Sequence, residues 1–471
     1  MKDGSSKNEP QSTSVQRATV FVAIITMFAT PFNVSAATIA IPSISAQFHS
    51  SMALIGWIFT GYMLSTVCLS VPAGRIADLT GRKRILLIGL LIFTLAAGAC
   101  AFSWSVASMV GFRVLQGIGA SMIFGTNTAI LIDAFPPEKR GKVLGYAVAA
   151  TYIGLSAGPV AGGLLNQYLG WHSIFIFTSL LGIAPFVLAL KMLPGDAGSS
   201  RVAARDRSRF DILGNIFYVG TTLCVMFGLS AFSDIFFAKF LIPVGLGLGV
   251  LFVFHELKAK SPIIEIRLFS GNMNYTLSNL ATLLNYGATF ALSYFMSIFL
   301  QVILGYGSQT AGLILITQPL TMAVVSPWAG RLSDRVSPFK IATAGMAVCA
   351  AGLLSFAFIS TSYSLVHILV NLLVIGIGFG FFSSPNTNAV MSCVTAKDYG
   401  VASSFLSTMR TTGHTTSMAV VTFIVTLRMG DAAFADVSPE LLVSTLRTGF
   451  MVFTAFCVVG IALSMQRKTN Q

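Results

Sequence analysis

The sequence predicts an all-α integral membrane protein of about fourteen transmembrane helices, arranged as six, then two, then six. Three observations predict it. Only 10% of the 471 residues are charged and 55% are hydrophobic, whereas a soluble chain carries about 25% charged residues. The apolar residues come in runs of about 20, the helical length that crosses a hydrocarbon core of about 30 Å. Only helices and closed barrels satisfy their backbone in lipid, and these runs are too long for barrel strands. Finally, the basic residues alternate between the two sides of the runs, as membrane topology requires.

In order, the runs fall at 18–41, 51–72, 84–103, 105–133, 141–165, 172–192, 212–232, 238–255, 274–302, 308–330, 339–360, 364–390, 399–427 and 445–466. Turn and charge clusters separate them. Pro31, Pro159, Pro185 and Pro319 fall inside runs, which membrane helices tolerate when neighbours satisfy the freed backbone. With the N-terminus inside, the cytoplasmic segments hold Lys2, Lys7, Arg17, Arg75, Arg82, Lys83, Arg84, Lys139, Arg140, Lys142, Lys191, Arg201, Arg205, Arg207 and Arg209. Lys258, Lys260, Arg267, Arg331, Arg335, Lys340, Lys397, Arg467 and Lys468 bring the total to 24 of 29. The other side holds Lys239, Arg428 and Arg447, and Arg113 and Arg410 stand within spans. The net charge of +13 therefore reads as topology, with both termini in the cytoplasm and the chain in the plasma membrane, and not as a nucleic-acid footprint. The long polar start at 1–17, followed by an over-long apolar run, does not read as a cleavable signal.

Six cysteines, Cys68, Cys100, Cys224, Cys349, Cys393 and Cys457, are scattered in or beside apolar runs with no CxxC spacing. They read as small packing residues, with no disulfide framework, metal site or cofactor expected. The chain has no nucleotide loop, no His-rich cluster and no large soluble segment. Neither an enzyme nor a sensor is expected.

An internal repeat organises the runs. Gly74-Arg75-x-x-Asp78 returns as Gly330-Arg331-x-x-Asp334, and Gly117-x-Gly119 with Asn127-Thr128 returns as Gly376-x-Gly378 with Asn386-Thr387. Both copies start on the same side, which predicts two parallel six-helix halves with a cavity between them. The expected layout is a tail at 1–17, a bundle at 18–192, a linker at 193–211, an inserted pair at 212–255, a linker at 256–273, a bundle at 274–466 and a tail at 467–471.

Three motifs carry a family resemblance. They are Gly74-Arg75-Ile76-Ala77-Asp78-Leu79-Thr80-Gly81-Arg82-Lys83-Arg84 after span 2, Arg113-x-x-Gln116-Gly117-x-Gly119 in span 4, and Gly154-x-x-x-Gly158-Pro159-x-x-Gly162-Gly163 in span 5. Together they strongly resemble the major facilitator superfamily, and the third is similar to its antiporter signature. The fourteen runs, Phe210-Asp211-x-x-Gly214, and Pro262-Ile263-Ile264-Glu265 with Leu268-Phe269 resemble the fourteen-span drug:proton antiporter branch. The resemblance implies an exporter of small molecules or drugs that works by alternating access in exchange for protons.

Read physically, Gly74 to Arg84 is a tight cytoplasmic connection. Asp78 is placed to cap a helix or to pair with an arginine, forming a latch between the halves on the cytoplasmic side. The small residues from Gly154 to Gly163 let helices approach closely, and Pro159 adds a weak point. Arg113, about nine residues into its span, faces either a cavity or carbonyls of helix 1 or 5, with Gln116 sharing the site. Arg410 and His414 lie on one face of span 13, either lining the cavity or packed.

The branch usually places an Asp in span 1, in a pattern like Asp-x-Thr-x-x-Asn-x-Ala-x-Pro. Here that position is Asn33, and the Asn position is Thr38. No Asp or Glu is left near the midplane. Only His414 and Asp133, at the inner end of span 4, remain as proton carriers. Two deep arginines without a carboxylate suit a neutral or anionic substrate better than a lipophilic cation. The alternative expectation is therefore a uniporter or symporter of anionic or neutral metabolites. The expected partners are a small-molecule substrate, protons and lipid, with the protein a monomer.

Overall fold

A computed structural model gives the structure of residues 13–135, 137–195, 211–232, 236–259, 262–263, 269, 271–361, 363–394, 399–430 and 437–467. The expectations on the basic linker, on Phe210, on Glu265 and on Lys397 lie outside these residues. Among the described residues the chain is helical, with no strand.

The first group is α1 (Thr13–Ile39), the short α2 (Ile41–Phe48), α3 (Met52–Thr80), α4 (Arg82–Ala101), α5 (Val106–Asp133), α6 (Pro137–Leu169) and α7 (His172–Met192). A hairpin of α8 (Ile212–Ser230) and α9 (Ala238–Lys258) follows. The last group is α10 (Met273–Thr289), α11 (Leu292–Ile298) with a π-helical turn at Phe299–Ile303, α12 (Ser308–Leu315), α13 (Thr317–Ser333), α14 (Pro338–Phe356), α15 (Leu365–Ser392), α16 (Tyr399–Met429) and α17 (Pro439–Met465).

Twelve stretches are long and apolar enough to cross a membrane, with α10 to the π-turn and α12 to α13 each counting as one. The other two long helices are α6, with 33 residues, and α16, with 31. Both are long enough to span but fall outside that set. Both are rich in Gly, Ala, Ser and Thr, and α16 carries Arg410 and His414. Helices that line the contact between two bundles need less apolar surface than helices that meet lipid on most sides.

Local sequence sets the helix ends. Ser51, Ser364 and Ser438 cap α3, α15 and α17, with Ser438 accepting from the Leu441 amide. Ser105 and Ser108 cap α5 reciprocally. One expectation is corrected here. The segment from Gly74 is not a loop, because α3 continues to Thr80 in spite of Pro72. The connection is Gly81 alone, whose φ of 119° suits glycine.

The two groups repeat each other in their close crossings. A Cβ on Gly89 would lie 2.9 Å from the Gly119 carbonyl oxygen, and one on Gly345 would lie 2.6 Å from that of Gly378. Asn127 donates to Thr26 at 2.8 Å, and Asn386 donates to Thr282 at 2.8 Å. The spacing of these pairs follows the sequence repeat. In the last group Arg467 adds a staple. It is 5% exposed, donates to the Asn386 side chain at 2.8 Å and to the Ser278 hydroxyl at 3.1 Å. Burial pushes its guanidinium down to about 10, so it is charged at neutral pH.

Helices alternate in direction, so Lys83, Arg84, Lys191, Lys258, Arg331, Arg335, Lys340 and Arg467 gather at one end of the bundle, here the basic end. Lys239, Arg428 and Arg447 mark the opposite, far end.

Candidate functional site

The two groups meet mainly where α3 packs on α16 and α6 packs on α12. Most of the hydrogen bonds that join them lie toward the far end. Ser297 donates to the Thr38 carbonyl at 2.8 Å and Gln301 to that of Ile39 at 3.0 Å. Ser308 donates to the Gly163 carbonyl at 3.2 Å, and the Tyr168 hydroxyl donates to Gln309 at 3.1 Å. Thr60 and Thr422 join at 3.1 Å. Nearer the middle, Thr415 donates to the Met63 carbonyl at 3.4 Å, and the hydroxyls of Tyr152 and Ser383 join at 2.8 Å. Among the described residues no hydrogen bond crosses between the groups on the basic side of Tyr152. The groups are therefore sealed at the far end.

The glycine-rich segment of α6 is built into that seal. A Cβ on Gly158 would lie 2.6 Å from the Ser35 Cβ, and one on Gly162 would lie 2.8 Å from the Ala36 Cα. Gly154 faces the Phe28 carbonyl in the same way. These three glycines fit α6 against α1. Gly163 faces the other group, where a Cβ would meet the Ser308 carbonyl oxygen at 2.5 Å. The Pro159 carbonyl lies against Gly312.

At the basic end, Arg82 pairs with Asp78 at 2.8 Å and also pairs with Asp133. This ties the α3–α4 turn to the end of α5. Asp78 pairs with arginine and caps no helix, and all three partners belong to one group. Asp334 is exposed at the end of α13.

Arg113 is the eighth residue of α5, which starts at Val106, close to the depth expected. It is fully buried. Its Nε donates to the Ile58 carbonyl at 3.1 Å, so the backbone partner is on α3 and not on helix 1 or 5. Its Nη1 donates to Gln116 Oε1 at 2.7 Å, and the guanidinium sits 4.6 Å from the Tyr62 ring centre. Nη2 of Arg113, Nε2 of Gln116 and both polar atoms of Asn33 are buried without a hydrogen-bond partner. These three residues carry unspent donors and acceptors inside the first group.

Arg410 and His414 are only half-buried. Arg410 Nη2 donates to the Thr387 hydroxyl at 2.7 Å, and the guanidinium stands 5.6 Å from the Tyr286 ring centre. Tyr286 also joins Ser383 at 3.2 Å. His414 stacks on Phe290 with 4.2 Å between ring centres and lies 5.3 Å from Tyr286. The sequence singled out Arg410 and His414 as site residues and named Thr387 only as part of the Asn386-Thr387 echo; Tyr152, Tyr286 and Ser383 were missed. Ser383 lies one turn before that echo, which was the one signal available; the tyrosines carry none.

The family model described as Major Facilitator Superfamily matches residues 23–418 and 278–465. The chain belongs to the Major Facilitator Superfamily. It is a multi-pass membrane transporter and not an enzyme. It is 28% identical over 456 residues to the riboflavin transporter RibZ of Clostridioides difficile, covering 96% of this chain and 98% of that one. It is 29% identical over 432 residues to the cephamycin export protein CmcT of Amycolatopsis lactamdurans, covering 89% and 87%. Its fold matches, with a TM-score of 0.70 and 15% identity over 97% of each chain, the crystal structure of a bacterial homologue of the human lysosomal transporter Spinster in an inward-facing and unoccupied conformation.

Proposed function

We propose that the protein is a secondary exporter of small organic molecules that works by alternating access. The observation that carries this reading is the one-sided seal, in which α6 closes the far end against α12 while, among the described residues, no hydrogen bond crosses at the basic end. We read the chain as fourteen spans, two parallel six-helix repeats around the α8–α9 pair, with α6 and α16 as the two less apolar spans. The positive-inside bias places the basic end in the cytoplasm of the plasma membrane, so the seal faces outward and substrate loads from inside. Relatives named for cephamycin export and multidrug resistance support export.

Coupling to protons is the branch's habit, but Asn33 carries no titratable group. The remaining carriers are His414 and Asp133, and Asp133 is engaged by Arg82. This favours a second reading, transport of neutral or anionic metabolites without a span-1 carboxylate, and the relative named a riboflavin transporter fits it.

The test of alternating access uses Tyr168→Cys with Gln309→Cys in a cysteine-free chain, bridged by a short bifunctional maleimide. Bridging is expected to stop flux in proteoliposomes, whereas the unbridged pair transports. Undiminished flux after complete bridging sinks the reading. Proton antiport is tested on the same vesicles. It fails if an imposed pH gradient drives no flux and His414→Ala changes nothing.

A further inference from the structure

The groups that the sequence reading left unexplained converge on one place. Tyr152 of α6, Ser383 and Thr387 of α15, Tyr286 of α10 and Arg410 and His414 of α16 form one cluster at the inner limit of the seal. Arg410 stands about eleven residues, or about 16 Å, from the basic start of its helix. Like Arg113, it carries a buried N–H without a hydrogen-bond partner, here its Nε, and among the described residues it makes no ion pair. It differs from Arg113 in that its side chain is only half-buried, so a ligand can reach it. A buried N–H left unpaired is costly, and such a site favours an acceptor from outside.

Beside this donor the walls are flat. The rings of His414 and Phe290 are stacked within 27° of parallel, and Tyr286 lies next to both Arg410 and His414. Among the described residues no carboxylate stands near this level: Asp78, Asp133, Asp211, Glu256 and Glu440 all lie in terminal turns or at caps. A cation placed here would lose its water beside a guanidinium of like charge, with ring faces to attract it but no carboxylate to offset the repulsion.

We infer that the Tyr286–His414–Arg410 cluster is the substrate platform, selecting planar aromatic molecules that carry a carbonyl or anionic acceptor and rejecting organic cations. The inference rests on the transporter reading above and names its substrate class. The aromatic faces hold the ring plane, and Arg410 takes the acceptor edge. The Tyr152 hydroxyl joins Ser383 of the other group beside the platform.

The test is equilibrium binding to the purified full chain, with three planar probes of different charge: uncharged riboflavin, its anionic 5′-phosphate and cationic ethidium. Both flavins are expected to bind, with ethidium at least about tenfold weaker. Arg410→Gln is expected to weaken the phosphate by about tenfold or more, the worth of a charge-assisted bond, and the uncharged flavin by less, because the glutamine amide still donates to a ring carbonyl. Tyr286→Leu weakens both flavins, while Tyr286→Phe, which keeps the ring, spares them. Both tyrosine variants are compared at unchanged melting temperature. Ethidium binding as tightly as the flavins, absence of flavin binding, or an unchanged phosphate affinity in Arg410→Gln each overturns the assignment. The maleimide experiment on Tyr168 and Gln309 reads alternating access without reference to the ligand. Failure of the platform and failure of the transport reading are therefore distinguishable.

Discussion

Replacing Gly312 by alanine is expected to open the far end. A Cβ there would lie 2.8 Å from the Pro159 carbonyl carbon, and closer still to its oxygen, where ordinary contact begins at 3.4 Å. Both obstacles are backbone, so α12 must withdraw from α6 by more than the difference, about 0.6 Å. Packed interfaces separate instead of stretching. Two hydroxyl donors then lose their partners across the same contact, Ser308 toward Gly163 and Tyr168 toward Gln309. At about 1 kcal/mol each, the loss of about 2 kcal/mol shifts the closed-to-open ratio about thirtyfold. Intrinsic helix preference works in the other direction, favouring alanine over glycine by up to about 1 kcal/mol. The assay is the spin-label distance between Phe102→Cys and Phe358→Cys, which are exposed at the far ends of the two groups. Longer distances should dominate in Gly312→Ala. Gly111→Ala, whose Cβ would meet open space, should match the parent. A Gly312→Ala protein with the parent's distances and a higher melting temperature would refute the reasoning.

Three further outcomes are expected. Arg467→Ala should lower stability by about 3 kcal/mol, because it strands buried partners on α10 and α15; chemical denaturation in detergent reads it, with Arg467→Lys retaining part. Asn386→Ala should cost about 1–2 kcal/mol more than Asn127→Ala, since only Asn386 also receives Arg467; equal losses would deny Arg467 its role. Arg82→Gln should cost only about 1 kcal/mol, shrinking further in high salt, because its two ion pairs are largely exposed. The readout is the melting temperature in low and high salt.

The spans were legible because hydropathy and charge alternation are one-dimensional signals. The run at 172–192 coincides with α7, and the motif pairing of Arg113 with Gln116 followed from helical spacing. The continuation of α3 to Thr80 was not legible, since Pro72, Arg75 and Asp78 all resemble loop residues. A spanning helix can project past the lipid with its backbone bonds intact, and its polar residues then sit in water or pair with Arg82. The break between α12 and α13 at Ile316 lies one turn before Pro319, which has no N–H to return to the Leu315 carbonyl. The break between α10 and α11 near Phe290 has no proline at the joint; there the Ala291 amide donates to the Ser417 hydroxyl of a distant helix. The Tyr152–Ser383 bond joins residues 231 apart, and no spacing rule reaches that far. The proton site expected from the resemblance stopped at Asn33, which the structure places in a buried polar pocket without a hydrogen-bond partner.

The α8–α9 hairpin has a consequence for lipid. α9 packs along α8 and is mostly exposed on its other sides, so those sides meet acyl chains. α8 touches α3 of one group and α16 of the other, with the Tyr218 hydroxyl donating to the Val67 carbonyl at 3.2 Å. It therefore roofs one of the two lateral seams between the groups. Acyl tails and membrane-dissolved compounds that approach sideways meet a wall on that flank. The other flank has no such roof, and there acyl tails meet the α6–α12 contact itself.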